Sequence, residues 1–256
     1  MLFDTHLHTK FSADSQMLID DALLRAKEQN LGLVLTEHLD YEYPGDYVFE
    51  FNPKEYFAQY APYRSDKLYL GVEVGMQSQT AQKSKQFVEN APFDQVICSL
   101  HLLNGQDLFY EQCYREDKHK VYLDYLNNMI SLIKQHDFAN ILGHIDYICR
   151  YATYEDKDIA YDTYHELIDE LWLTLLDLGI VPELNTRRFN NPHNIPILLK
   201  LYERYQELGG KYVSIGSDAH KPENIGFSFS TAYELLDKLK LQPVYFINKN
   251  MHTCKI

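Results

Sequence analysis

The sequence predicts an α/β fold, with parallel strands joined by outer helices and closed, or nearly closed, into a barrel. Three observations point there. Short apolar runs alternate with amphipathic helical stretches about seven times along 256 residues, the βαβα order that builds parallel sheets. No Gly/Ser-rich linker, low-complexity segment or internal repeat divides the chain. Histidine or a carboxylate stands at the end of most apolar runs, as in barrel enzymes whose chemistry collects at the C-terminal rim of the strands. An open doubly wound sheet is the second choice. The lack of Gly-x-Gly-x-x-Gly after the first strand counts against its dinucleotide-binding version.

The strands are expected at residues 2–6, 32–36, 68–73, 95–100, 140–144, 180–185 and 212–217. Helices are expected between them at 17–30, 53–63, 78–90, 118–136, 158–178 and 195–208, with 231–239 after the last strand. Within 158–178, Ile159, Leu167, Ile168, Leu171, Trp172, Leu175 and Leu176 recur on one helical face. Gly179 ends that helix and Gly209-Gly210 the next.

Hydrophobic residues make up 45% of the chain and charged residues 24%, with a formal charge of −13. Such an acidic chain is a poor match to a nucleic-acid backbone. An anionic substrate stays open, because bound divalent cations reverse the local sign. No run is long enough to span a membrane, and no basic-then-apolar leader pattern opens the chain. Cys98, Cys113, Cys149 and Cys254 form no Cys-x-x-Cys pair. Structural thiols in a reducing cytoplasm are the expectation.

The chemistry sits in a few short motifs. His6 and His8 flank Leu7 at the end of the first strand, and side chains two apart on a strand face the same way. Asp218 and His220 repeat that spacing after the last strand. Glu73 lies inside the apolar run Leu70-Gly71-Val72-Glu73-Val74, where an acid is costly unless paired or metal-bound. His101 and His144 each close an apolar run, and Glu37-His38 closes another. Imidazole and carboxylate without thiolate suit Zn, Mn or Fe(II). A polynuclear metal site at one rim explains these residues together. Arg150, Arg187 and Arg188 lie beyond the same strand ends and are expected to project from that rim, Arg188 more as a surface salt bridge than toward a ligand. His119, His136, His165, His193 and His252 match no ligand pattern and read as solvated or structural. The loops 40–47 and 108–111 mix acids with aromatics near strand ends, a wall suited to a cationic group.

These motifs resemble the PHP (polymerase and histidinol phosphatase) superfamily. The resemblance is carried by Asp4-Thr5-His6-Leu7-His8-Thr9, Leu35-Thr36-Glu37-His38, Gly71-Val72-Glu73, Ser99-Leu100-His101, Gly143-His144-Ile145-Asp146 and Gly216-Ser217-Asp218-Ala219-His220, all in order. Phe11-Ser12-Ala13-Asp14 and Glu183-Leu184-Asn185-Thr186-Arg187 draw it toward the histidinol-phosphate phosphatase branch. The resemblance implies one distorted TIM-like barrel of seven βα units over residues 1–256 and a site for three divalent metal ions (Zn, Mn or Fe). His6, His8, Glu73 and Asp218 would hold one ion. Glu73 would bridge to a second, held by His101 and His144. Asp14, His38 and His220 would hold the third. Arg150, Arg187, His38 and Ser99 would contact substrate, and Glu73, Asp218 and His220 would carry the catalytic step. The implied activity is hydrolysis of L-histidinol phosphate in histidine biosynthesis, or of another phosphomonoester such as phosphotyrosine, a nucleotide or a sugar phosphate. The expected partner is a small phosphate ester, with neither nucleic acid nor membrane.

Overall fold

Residues 1–254 are described by a computed structural model. Lys255 and Ile256, within the expected domain, lie outside the described residues. In chain order the strands are β1 (Leu2–Leu7), β2 (Leu31–Leu39), β3 (Leu68–Gly75), β4 (Val96–Ser99), β5 (Leu102–Leu103), β6 (Gln106–Asp107), β7 (Ile141–Leu142), β8 (Val181–Asn185), β9 (Tyr212–Gly216), β10 (Gln242–Ile247) and β11 (Asn250–Thr253). The helices are α1 (Ile19–Gln29), α2 (Pro53–Tyr60), α3 (Ala81–Glu89), α4 (Lys118–Gln135), α5 (Ile148–Tyr151), α6 (Tyr161–Leu178), α7 (Asn194–Glu207) and α8 (Phe229–Leu239).

All seven expected strands form, and they pair in parallel in the order β1-β2-β3-β4-β7-β8-β9. The sheet closes at one end only. There the Asp218 amide donates to the His6 carbonyl and the His8 amide to the Ala219 carbonyl, both at 2.8 Å. At the other end β9 pairs instead with β10, which turns back antiparallel through β11. The result is a distorted (β/α)7 barrel whose N-terminal mouth is filled by a C-terminal hairpin.

Alternation along the strands sorts the core. Leu33, Leu35, Leu39, Leu70, Val72, Val74, Cys98 and Leu142 join the large cluster that packs the helices onto the sheet. Ile97, Ile141 and Val181, one residue out of step with Cys98 and Leu142, cluster with Val244 and Phe246 of the hairpin. Phe3, Val34 and Cys254 form a third group, with the Phe3 and Tyr245 rings stacked at 4.0 Å. The barrel's N-terminal half is therefore filled by aliphatic and aromatic side chains.

β1 pairs Asp4 with Leu33 and Leu7 with Leu35, so one extra residue bulges from β1. A bulge shifts the alternation by one. Phe3 thus belongs to the apolar layer, while His6 and His8 also face inward above it. The hairpin, the β5–β6 ribbon and the four-residue α5 are elements the sequence reading did not include.

Candidate metal centre

The C-terminal half of the barrel is filled by imidazoles and carboxylates. Glu73 on β3 is fully buried and central. Its Oε2 lies 3.2 Å from His6 Nε2, 3.5 Å from His8 Nε2 and 3.0 Å from His38 Nδ1. Its Oε1 lies 3.1 Å from His144 Nε2 and 3.3 Å from His101 Nε2. Asp218 Oδ1 stands 3.4 Å from His8 Nε2 and 3.9 Å from His6 Nε2. Asp14 Oδ2 stands 3.0 Å from His220 Nε2 and 3.7 Å from His38 Nε2. The residues expected as three ligand sets thus converge on one spot, with the two oxygens of Glu73 facing different histidines. His38 lies between Glu73 and Asp14, and it also groups with His8 and His220.

These atoms test whether cations fit. His6 Nε2, His8 Nε2, His38 Nδ1 and Glu73 Oε2 are buried without a hydrogen-bond partner. Leaving one such group unsatisfied costs about 1–3 kcal/mol, and here four of them point at each other. Divalent ions among them would satisfy all four, so the donor set fits N/O-preferring metals.

The electrostatics fit as well. Burial pushes the Glu73 carboxyl up, but His6, His101 and His38 hold it well below the usual carboxylate range. Burial lowers His6, and Glu183, Glu73 and Asp218 more than reverse this, leaving it well above the ordinary imidazole value. His8 is pushed well below that value by burial and by neighbouring His38 and His220. Neighbouring imidazoles are thus driven in opposite directions, a conflict that metal binding removes by requiring all of them neutral.

A second layer aims the histidines. His6 Nδ1 meets Glu183 Oε1 at 2.6 Å, and His101 Nδ1 meets Asp40 Oδ1 at 2.7 Å. His8 Nδ1 lies 3.2 Å from Ser12 Oγ, which donates to Glu37. With Nδ1 engaged, each Nε2 is left facing the cluster. Two glycines make room for these carboxylates. A Cβ on Gly75 would lie 1.8 Å from Asp40 Oδ1, and one on Gly216 would lie 2.2 Å from Glu183 Oε1. Asp218 itself holds a left-handed backbone, φ 55°, a conformation Asp tolerates better than most residues.

Sequence reasoning missed the roles of Glu183, Asp40 and Glu37. Glu183 and Glu37 carried the signal that singled out Glu73, an acid within an apolar strand. Ser99, expected at the substrate, is fully buried and donates to Glu73 Oε1 at 2.7 Å. Its place one level below His101 on an inward-facing row puts it under the carboxylate rather than on the cleft.

The cluster floors a cleft of ≈ 390 Å³. Arg150, Arg187 and Lys221 stand on one side. Arg150 Nη1 donates to Asp218 Oδ2 at 2.5 Å, and Arg187 Nη1 to the Asp218 carbonyl at 2.9 Å. Arg150 Nε and Nη2 are buried without partners. Asp107, Tyr43, Phe109, Tyr110, Tyr147 and Tyr151 line the rest of the cleft; the Arg150 guanidinium lies 5.1 Å from the centre of the Tyr147 ring, and the Tyr43 hydroxyl donates to Asp107. Arg188 was expected to project from the same rim, but it is buried and turned away toward Asp146 and Asp158.

A model of the PHP domain family matches residues 4–187. The chain belongs to the PHP domain family. This PHP-domain protein is 42% identical over 254 residues to a probable histidinol-phosphatase of Clostridium acetobutylicum, covering 98% of this chain and 99% of that one. It is 30% identical to the histidinol-phosphatase of Lactococcus lactis subsp. lactis, over 92% of this chain and 90% of that protein. The crystal structure of histidinol phosphate phosphatase from Lactococcus lactis subsp. lactis, complexed with zinc, L-histidinol and phosphate, matches it with a TM-score of 0.91. The match covers 98% of each chain at 29% identity. No helix among the described residues is long and apolar enough to cross a membrane.

Proposed function

We infer that this PHP-domain protein is a metal-dependent phosphomonoesterase that hydrolyses L-histidinol phosphate to L-histidinol and phosphate. One observation carries the reading: a single cleft joins a cluster of metal-ligand type and two arginines to an acidic, aromatic wall. That combination matches the two halves of this substrate. The relative solved with zinc, L-histidinol and phosphate, alike in fold over 98% of each chain, supports it.

His6, His8, Glu73 and Asp218 would hold one ion, Glu73 with His101 and His144 a second, and Asp14, His38 and His220 a third. Zn, Mn or Fe(II) suits this donor set. When bound, such ions activate water for in-line attack and neutralise charge on the phosphoryl oxygens. Glu73, Asp218 and His220 act through the ions they hold.

The rest falls to the chain's own groups. The unpartnered Nε and Nη2 of Arg150 and the Arg187 guanidinium supply donors to the phosphoryl oxygens, whose charge grows in the transition state. Asp218 anchors both arginines. Asp107 and Asp40, which also line the cleft, face the cationic alcohol, and the rings of Tyr110, Phe109 and Tyr147 pack its imidazole. Residues 1–256 act as one barrel domain, serving histidine biosynthesis in the cytoplasm on a small soluble ester.

The test is phosphate release from L-histidinol phosphate, phosphotyrosine, a nucleoside monophosphate and a sugar phosphate by the Zn- or Mn-loaded protein. L-histidinol phosphate should exceed the others in kcat/KM by at least about 100-fold. A faster phosphotyrosine or sugar phosphate reaction contradicts the substrate assignment.

A further inference from the structure

Arg188 has no part in the cleft, yet it is 9% exposed and tied to three separate segments. Its Nη1 donates to Asp146 Oδ2 at 3.1 Å, in the loop that runs from β7 into α5. Its Nη2 donates to Asp158, before α6, and to Asn194 Oδ1 at 3.1 Å, where α7 begins. The Asn194 side chain returns a bond to the Arg188 carbonyl at 2.8 Å. At the other end of this short turn, Asn185 Oδ1 accepts from the Arg187 amide at 3.0 Å. The turn carrying Arg187 is thus pinned on both sides.

The Asp146 segment leads directly into α5, which carries Arg150. Asp146 is 3% exposed, and Arg150 feels its charge second only to that of Asp218. While Arg188 neutralises Asp146, Arg150 is free to bond Asp218 and keep two donors open. Without Arg188, Asp146 would be a buried unpaired carboxylate competing for Arg150. Together with Asp158 it would add negative charge beside a site that must accept a phosphate.

We propose that Arg188 is a positioning residue for phosphate binding: it clamps Asp146, Asp158 and Asn194 so that Arg150 and Arg187 present their guanidinium groups to the phosphate. The proposal rests on reading the Arg150–Arg187 side of the cleft as the phosphate subsite. Lysine cannot replace it fully, because one ammonium does not reproduce a fork reaching Asp146 on one arm and Asp158 on the other.

The experiment measures inorganic phosphate and L-histidinol binding separately, by calorimetry on the Zn-loaded protein, alongside turnover of L-histidinol phosphate. Arg188→Met should weaken phosphate binding on the order of 10- to 100-fold. L-histidinol binding should stay within about twofold of wild type. Adding Asp146→Asn to Arg188→Met should restore part of the phosphate affinity, which loss of a purely structural clamp would not allow. If Arg188→Met does not fold, Arg188→Lys supports the same comparison with a smaller loss. Unchanged phosphate affinity, equal loss for both ligands, or no recovery in the double variant overturns the proposal. Wild type that binds phosphate but releases none from L-histidinol phosphate contradicts the substrate reading and leaves the Arg188 comparison intact.

Discussion

The two halves of the barrel interior are built on the same seven strands and buried to the same degree, yet they are opposites in chemistry. The N-terminal half holds Ile97, Ile141, Val181, Val244 and Phe246, with Phe3 stacked on Tyr245 nearby. The C-terminal half holds His6, His8, His38, Glu73 and His144, each of which contributes a buried atom without a hydrogen-bond partner. The lower layer stabilises the fold through burial of apolar surface. The upper layer carries a desolvation cost that bound cations would offset. The polar, ligand-type side chains thus collect at the strand ends, above a base whose own packing tolerates their cost.

Substitutions in the two layers should therefore separate activity from stability. The largest effect is expected from Glu73→Gln, which removes a charge shared among five histidines; kcat for phosphate release should fall at least about a thousandfold. Metal content, measured by elemental analysis, should fall with it. Full activity in this variant would break the shared-ligand reading.

The mirror experiment is Phe246→Ala in the lower layer. It should cost about 3 kcal/mol and lower Tm by about 10 °C in calorimetry. The kcat of the folded protein should stay within about threefold of wild type. A large activity loss without a stability loss would show that the layers are not independent.

Arg150→Ala tests the upper rim. Losing a charged donor aimed at the phosphoryl group should lower kcat/KM by about 100-fold in steady-state assays, and it should lower Tm because Asp218 loses a buried partner. The smallest effect is expected from Asp107→Asn elsewhere in the cleft. KM for L-histidinol phosphate should rise about tenfold, while an aryl phosphate whose alcohol part carries no cation should be hydrolysed as before. Equal effects on both substrates would remove Asp107 from recognition of the alcohol.

Much of this arrangement was legible in the residues. All seven barrel strands follow from their apolar runs, because a strand buried on both faces reads as a continuous hydrophobic stretch. The ligand-type residues stood out because histidine and carboxylate are rare at such strand ends. Burial depth was less legible. Alternation shows that Ser99 faces inward but not that it lies beneath Glu73, and no local pattern tells that Arg188 turns away from Arg187. The C-terminal hairpin was missed because its turn is Asn248-Lys249, both at positive φ, rather than the Asn-Gly that marks such turns most clearly. The bulge in β1 was missed too, since an extra residue becomes visible only against the partner strand. Glu183 and Asp40 aim their histidines across 177 and 61 residues of sequence, separations no local reading spans.

The buried histidine–carboxylate layer should work only through bound metal. The direct measurement is phosphate release from L-histidinol phosphate before and after exhaustive chelation and dialysis, followed by stepwise return of Zn or Mn. Stripping should remove at least about 99% of the rate, and the rate should recover as metal is restored. A verified metal-free protein that keeps its full rate would contradict it.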